Sequence, residues 1–346
     1  MRKRFIRGVA AVCAVVGVLA LLGGALFYSL NLPAAGIPAE GRTFRVRKGE
    51  TLSGIAERLK QEGLVRSALF LRLLGRLTGS ENRYQTGFFR VKPGDSAIDV
   101  HSLLISGYQE QVKITIPEGW TLKKIAQALE DKGIAPRTEV LAAASARELL
   151  TALKVPAGSL EGYLFPDTYY FPPGYPAEAV VEQMAENFFD RLREIAPESG
   201  QLSAARLHDR IIVASIVERE YRIAAEAPLI ASVFYNRLRH NIGLESCATL
   251  EYIITDIQDR PHPRFLTEED KRADSPYNTY KWAGLPPGPI SNPGRVALAA
   301  ALRPAKTEFY YFVLKNADSG QHYFSENLNQ HNWAKYYYLK QIGSGG

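Results

Sequence analysis

Cysteine is scarce in this chain, with only Cys13 and Cys247 among 346 residues. Cys13 lies within an apolar run and Cys247 lies far away in the body of the chain, so we expect neither an intrachain disulfide nor a structural zinc site. An excess of charge is also lacking. Without the four basic residues among the first seven, 38 basic residues face 36 acidic ones, and this net charge of +2 gives no electrostatic basis for nucleic-acid binding.

A long apolar run is present near the N-terminus, since residues 8–32 contain no charged residue. A helix of about 22 residues spans about 33 Å, enough to cross a hydrocarbon core of about 30 Å. Four basic residues precede the run, so the positive-inside rule predicts a cytoplasmic tail at 1–7 and an exported body after a linker at 33–41. The alternative is a cleaved signal peptide, whose apolar region is normally about 7–15 residues. The sequence therefore favours an uncleaved single-pass anchor in the inner (cytoplasmic) membrane, with a periplasmic body.

The exported part begins with a weak internal repeat, in which residues 46–59 align with residues 116–129. Each copy reads as a short strand, a glycine turn and a helix with apolar residues at helical spacing. Thr51 and Thr121 occupy the N-cap positions of the two helices, and residues 84–96 read as a third strand and helix start. The first copy resembles a LysM module, a unit that binds glycans containing N-acetylglucosamine; the alternative is a scaffold without a ligand.

The chain as a whole is predicted to be α+β. We place its main boundary near residue 158, which leaves a small LysM-like α/β region at 42–158 and an α+β domain at 159–346. The last part reads as a hairpin over 309–324 followed by a helix from about 325 to 341. Two histidines there, His322 and His331, are interpreted as hydrogen-bonded structural residues rather than metal ligands.

The strongest helical pattern covers residues 203–241 and is divided at Pro228, which suits the first turn of a second helix. In the first helix, seven uncharged residues (211–217) precede Glu218, which shares a face with residues three, four and seven positions earlier. A carboxyl group at the end of a buried face is partly desolvated, and this raises its pKa as a general acid requires. The alternative is an exposed acidic helix end. Glu220 points nearly the opposite way and is expected to be solvated or ion-paired.

Several segments are distinctive enough to indicate a family. ASIVERE (214–220) and ASVFYNRL (231–238) lie on the predicted helices, LEGYLFPDTY (160–169) opens the α+β domain, and SPYNTY (275–280) and GLPPGPISNPG (284–294) lie in loops. Together they resemble the MltG/YceG-like family of endolytic murein transglycosylases. The resemblance extends from the anchor to about residue 340.

The resemblance implies one catalytic glutamate, at Glu218. It would protonate the glycosidic oxygen between N-acetylmuramic acid and N-acetylglucosamine and then accept the proton of the muramic C6 hydroxyl, leaving a 1,6-anhydro end. Neither water nor a metal or other cofactor takes part. The substrate would be nascent glycan strands, whose elongation is terminated, and cell-wall synthases are possible partners. Ordinary glycosidases need a second carboxylate, and five groups remain open for that role: Asp167, Glu226, Glu245, Glu251 and Asp256.

Substrate contacts are expected from two loops and one helix. The first loop would offer an amide, hydroxyls and aromatic rings to the sugars through Tyr277, Asn278, Thr279 and Tyr280. The second loop is too rich in proline for a helix or a central strand and would contribute Leu285, Pro286 and Asn292. Asn236 would line the cleft from the second helix. A structural crossover is the alternative for the loops, and an ion pair at the helix surface is the alternative for Asn236 and its neighbour Arg237.

The resemblance is weakest after Gly243. The family usually has a segment like Thr-Asp-Pro-Thr there, whereas this chain has Cys247-Ala248 in place of the Asp-Pro pair, followed by Thr249. An acidic role at this position is therefore not carried over. Two other functions remain open: a hydrolase that uses water, and an anchored glycan-binding module without catalysis.

Overall fold

The protein divides into two compact units, residues 1–110 and residues 111–346. The structure is a computed structural model that describes residues 2–39, 41–47, 49–107, 111–316 and 318–343, with side chains described between residues 15 and 338. Helices and small antiparallel sheets alternate in both units, so the α+β class is confirmed.

Unit 1 contains α1 (Arg2–Asn31), β1 (Arg42–Val46), α2 (Leu52–Gln61), α3 (Ala68–Leu77), β2 (Gly87–Val91) and α4 (Ala97–Ser106). Strands β1 and β2 pair antiparallel with Phe44 opposite Phe89, and the apolar faces of α2, α3 and α4 pack against this pair. Thr51 Oγ1 accepts a hydrogen bond from Gly54 N, and Ser96 forms a capping box at the start of α4. The strand–turn–helix reading of this region is confirmed.

Among the residues whose side chains the structure describes, no helix is long and apolar enough to span a membrane. Residues 8–14 of the predicted anchor are not among them. The anchor therefore stays a prediction.

The elements of unit 2, in chain order, are β3 (Val112–Thr115), α5 (Leu122–Asp131), α6 (Arg137–Ala144), α7 (Arg147–Ala152), β4 (Thr168–Phe171), α8 (Ala177–Ile195), α9 (Ala204–Glu220), α10 (Ala227–Arg239), α11 (Cys247–Tyr252), α12 (Arg295–Leu302), β5 (Tyr311–Leu314), β6 (His322–Ser325) and α13 (Leu328–Gly343). Short 3₁₀ turns precede α9 and α10, and α11 continues into a π-helical turn. The predicted C-terminal hairpin is the β5–β6 pair.

The second copy of the repeat belongs to unit 2, so the division of the chain differs from the boundary placed near residue 158. Strand β3 pairs antiparallel with β4, and Thr115 lies opposite Thr168. Both carboxylate oxygens of Glu161 accept from Leu122 N at 3.0 Å, which caps α5. Pairing and capping across the expected boundary join residues 111–158 to the larger core.

Helix α9 lies at the centre of unit 2, and the whole run 211–217 is buried, as its lack of charge predicts. Ser203 Oγ caps its N-terminus by accepting from Arg206 N, and Pro228 stands in the first turn of α10. Helices α10 and α12 pack against α9. The C-terminal turn of α9, which carries Glu218, is therefore held among several elements.

The two C-terminal histidines occupy structural positions. His322 Nδ1 lies 2.8 Å from Glu226 Oε2, and the ring of His331 stacks on Tyr311 with centroids 5.1 Å apart. These contacts connect the hairpin to the elements around it.

Candidate active site

Glu218 lies in the last turn of α9 and is partly buried. Its Oε2 accepts a hydrogen bond from Gly294 N at 2.9 Å. Burial raises the pKa of Glu218 to about 7, because desolvation disfavours the carboxylate and the negative charge of Glu118 adds to this effect. The Gly294 hydrogen bond and Arg219 act in the opposite direction. Both protonation states are therefore populated near neutral pH, as a group that first gives and then takes a proton requires.

The proline-rich loop lies directly on the face of α9 that leads to Glu218. Ser215, one turn earlier, accepts from Ile290 N through its Oγ at 3.0 Å, and its carbonyl oxygen accepts from Ser291 Oγ at 3.0 Å. The loop then reaches Glu218 through Gly294 N. Three hydrogen bonds along one helix face thus fix the loop relative to the glutamate.

A second loop, residues 160–164, packs against the proline-rich loop. Gly162 has φ +85°, and a Cβ there would lie 2.5 Å from Pro289 Cβ and 3.2 Å from Ile211 Cγ2. Glycine is required by both the backbone conformation and this close approach. The LEGYLFPDTY and GLPPGPISNPG motifs and helix α9 therefore meet in one place.

Asn292 is completely buried and joins these segments to each other. Its Oδ1 accepts from Leu164 N at 2.9 Å, while its Nδ2 donates to Trp120 O at 2.9 Å and to Glu161 Oε1 at 3.1 Å. Its backbone N also donates to Trp120 O. The structure gives Asn292 a framework position rather than the substrate-facing position expected from the sequence, because its side chain is surrounded by partners from two other segments.

Two residues of the YNTY loop also have framework positions. Asn278 is completely buried; its Nδ2 donates to two backbone carbonyl groups of the same loop and its Oδ1 accepts from Tyr280 N. Thr279 is buried too, and its Oγ1 accepts from Ser246 N at 3.1 Å and lies 2.9 Å from Thr249 Oγ1. Amide and hydroxyl groups expected to reach the sugars hold the loop in shape instead.

The two tyrosines of this loop remain partly exposed. The ring of Tyr277 lies 5.1 Å from that of Tyr252, and Tyr280 Oη lies 3.1 Å from Cys247 Sγ. Cys247, the residue at which the chain departs from the family pattern, therefore contacts the aromatic loop directly. Contact between these two tyrosine rings and the sugars of the substrate therefore stays a prediction.

The remaining predicted contacts are less accessible. Pro286 is buried, and Leu285 is partly buried against the main core. Asn236 Nδ2 donates to Thr307 O at 2.8 Å and to Phe309 O at 2.9 Å, so this amide holds the extended segment before β5. The neighbouring Arg237 pairs with Glu245 at 3.2 Å. Asn236 is therefore buried with backbone partners, and the alternative of an ion pair at the helix surface is wrong for this residue.

The carboxylate beside Glu218 is Glu118, in the turn between β3 and α5, and sequence reasoning missed it. A Cβ on Gly294 would lie 1.8 Å from Glu118 Oε1, so the Glu118 carboxylate rests against the glycine that holds Glu218. A Cβ on Gly119 would lie 3.6 Å from Glu218 Cγ. One signal was available, since the second repeat copy has Glu118 where the first has Lys48.

The five carboxylates that were left open as partners are engaged elsewhere. Their contacts are Asp167 with Arg191, Glu226 with His322, Glu245 with Arg237, Glu251 with Arg219 and Asp256 with Thr255. Glu220 is partly exposed and has no ion pair within 4 Å among the described residues. Ser246 Oγ donates to it at 2.5 Å, and desolvation raises its pKa.

Glu218, partly buried at a helix end beside two loops and a glycine turn, has the environment that a general acid requires. The sequence profile of the YceG-like family matches residues 44–336. The chain therefore belongs to the YceG-like family, and the resemblance noted from its motifs is confirmed.

Individual relatives agree with this assignment. The chain is 31% identical over 340 residues to the endolytic murein transglycosylase of Bacillus subtilis, covering 92% of this chain and 91% of that protein. It is 26% identical over 317 residues to the enzyme of the same name from Streptococcus pneumoniae strain D39, covering 84% of this chain and 57% of the relative. A crystal structure of a YceG-like protein from Listeria monocytogenes covers 86% of this chain, with 28% identity and a TM-score of 0.56.

Proposed function

We propose that this protein is an endolytic murein transglycosylase, a lyase that cuts peptidoglycan glycan strands internally. The observation that carries the proposal is Glu218 itself, half-buried, held by Gly294 N at 2.9 Å and with its pKa raised to about 7. The names of the Bacillus and Streptococcus relatives support the reaction class. Termination of nascent strands and cooperation with cell-wall synthases remain predictions.

The chemistry needs one acid that also serves as a base. Protonated Glu218 gives its proton to the glycosidic oxygen as the bond to C1 of the muramic residue breaks. The Glu218 carboxylate then takes the proton of the C6 hydroxyl, whose oxygen bonds to C1 and closes the 1,6-anhydro ring. Because the nucleophile belongs to the substrate, its effective concentration is high, and a second protein carboxylate is not needed to activate water.

The products of digestion test this proposal directly. Purified peptidoglycan incubated with the protein should yield fragments ending in 1,6-anhydro sugars, which mass spectrometry separates from reducing ends by the mass of one water. Internal cuts should shorten long strands before disaccharides accumulate. Reducing ends would instead establish a hydrolase, and retention on the cell wall without new ends would establish a binding module.

We further propose that α1 anchors the protein in the inner (cytoplasmic) membrane, with both units on the outer side. The uncharged run 8–32 supports this, as do the exposed apolar side chains of its described part: Val15, Val16, Val18, Leu19, Leu21, Leu22 and Leu26. The protein should remain in the membrane fraction after alkaline extraction and should keep its full-length mass. Loss of about 3 kDa, the size of a cleaved signal peptide, would rule out the anchor.

We also propose that unit 1 binds glycan through a LysM-like surface. A groove of about 490 Å³ lies between the start of α2 and the segment after α3; it is lined by Thr51, Arg72, Arg76, Asn82 and Tyr84, among others. Polar side chains beside an aromatic ring suit sugar hydroxyls and a sugar face. In the full chain, the double variant Asn82→Ala/Arg76→Ala should weaken cell-wall retention several-fold, whereas Lys60→Ala, at an exposed position on α2, should not. Equal cell-wall retention of the wild type, the double variant and the Lys60→Ala control would indicate that unit 1 is a scaffold without a glycan-binding role.

A further inference from the structure

Glu118 has no part in the single-acid reaction described above, yet it is placed against the residue that holds the acid. Gly294 donates its N–H to Glu218, and its Cα faces the Glu118 carboxylate so closely that a Cβ would overlap Oε1 at 1.8 Å and Cδ at 2.2 Å. Gly294 thus lies between the carboxyl groups of Glu118 and Glu218, which belong to distant parts of the chain.

The backbone does not require glycine at this position. Gly294 has φ −84° and ψ −174°, an extended conformation that any residue adopts. A Cβ at residue 294 would take the place that the Glu118 carboxylate occupies, so a larger residue would displace the end of this exposed side chain. Glycine at 294 therefore leaves room for the Glu118 carboxylate beside Glu218.

We propose that Glu118 is a positioning residue of the active site, whose carboxylate, seated against Gly294, keeps the proton on Glu218 until the glycosidic oxygen accepts it. This inference rests on the proposed function. Two like charges at close range disfavour each other, so a negative Glu118 favours the neutral form of its neighbour. The pKa of Glu218, raised mainly by desolvation, is raised further by Glu118.

The other groups that face Glu218 do not replace this effect. Arg219, on the same helix, favours the charged form, but its guanidinium is paired with Glu251 at 2.6 Å. Tyr221 follows α9, and burial raises the pKa of this phenol, so it stays uncharged at neutral pH. The contact from α12 is the backbone N–H of Gly294, which carries no net charge. Glu118 is exposed in the free protein, and a bound glycan that displaced water from it would strengthen the repulsion.

The sign of the effect is open to measurement. Activity in the first step requires protonated Glu218, so kcat/KM should fall as pH rises above about 7. Glu118→Gln keeps the shape and removes the charge, which lowers the pKa of Glu218 and moves this basic limb to lower pH. The ratio of kcat/KM at pH 8 to that at pH 6 should fall on the order of threefold relative to wild type. A merely structural role would lower the rate equally at both pH values.

A second pair of variants tests whether the position of the Glu118 carboxylate against Gly294 matters. Gly294→Ala should move the basic limb in the same direction as Glu118→Gln, because its Cβ displaces the Glu118 carboxylate from beside Glu218, and Gly294→Ala combined with Glu118→Gln should move the limb no further. Glu139→Gln, an exposed glutamate on α6, is the matched control and should keep the wild-type pH profile. Protein melting is measured for each variant so that rates are compared between folded proteins.

Each outcome bears on one claim. An unmoved basic limb in Glu118→Gln, or a further shift of the limb when Gly294→Ala is added to Glu118→Gln, would overturn the role of Glu118. If that happens while Glu218→Gln is inactive, the proposed transglycosylase function stands and this inference alone fails. Absence of 1,6-anhydro ends from wild-type digests would remove the proposed function itself.

Discussion

Glu218→Gln is expected to lower the rate of anhydro-end formation by roughly 10²–10⁴-fold, the usual contribution of a general acid–base group. Glutamine has nearly the same shape, and its carbonyl oxygen can still accept the hydrogen bond from Gly294 N at 2.9 Å. It has no acidic proton for the leaving oxygen and no basic oxygen for the C6 hydroxyl. Both halves of the reaction are therefore lost with little change in structure.

The same variant should melt at or above the wild-type temperature, because a partly desolvated carboxyl group is replaced by a neutral amide. The measurements are mass spectrometry of released ends from purified peptidoglycan and thermal melting of the two proteins side by side. Glu139→Gln serves as a control for the chemical change alone and should be fully active. Wild-type turnover by Glu218→Gln would show that another group supplies the proton.

Asn292→Ala is expected to destabilise unit 2 by about 3 kcal/mol, because each buried polar group left without a partner costs about 1–3 kcal/mol. The change removes the acceptor of Leu164 N and the donor to Trp120 O and Glu161 Oε1. Glu161 is buried, and desolvation raises its pKa to about 8. Without the Asn292 amide, the Glu161 carboxyl group loses one hydrogen-bond donor, and this adds to the loss of folding free energy.

For a unit of this size, the loss corresponds to a melting temperature about 6–12 °C lower. Asn332→Ala on the exposed face of α13 is the matched control and should change stability by less than about 0.5 kcal/mol. Thermal or urea unfolding measures both. A stable Asn292→Ala variant with weakened glycan binding would return Asn292 to the substrate contacts that the sequence first indicated.

Local patterns in the sequence predicted much of the fold. Thr51 and Thr121 were assigned as helix caps, and each accepts the expected hydrogen bond from a backbone N–H three residues on. The uncharged run 211–217 was predicted to be buried in a helix, and it is. Such features depend on residues within one or two turns of each other, so periodicity and capping chemistry are sufficient to reveal them.

The chemical assignments of the loops were less predictable from sequence. Asn278, Thr279 and Asn292 carry groups that suit sugar hydroxyls, but the structure gives those groups backbone and side-chain partners inside the protein. A polar side chain in a loop reads the same in sequence whether it faces a ligand or a carbonyl group. Only the burial of the residue distinguishes the two.

The capped helices, the buried run and the family motifs could thus be read from neighbouring residues, because they reflect interactions of short range along the chain. The meeting of Glu118, Gly294 and Glu218 could not, since the three residues come from a turn, a loop and a helix that are far apart in sequence. The same holds for the pairing of β3 with β4, which brings residues 111–158 into unit 2. Contacts between distant segments depend on how the elements pack, and packing leaves no local pattern in the sequence.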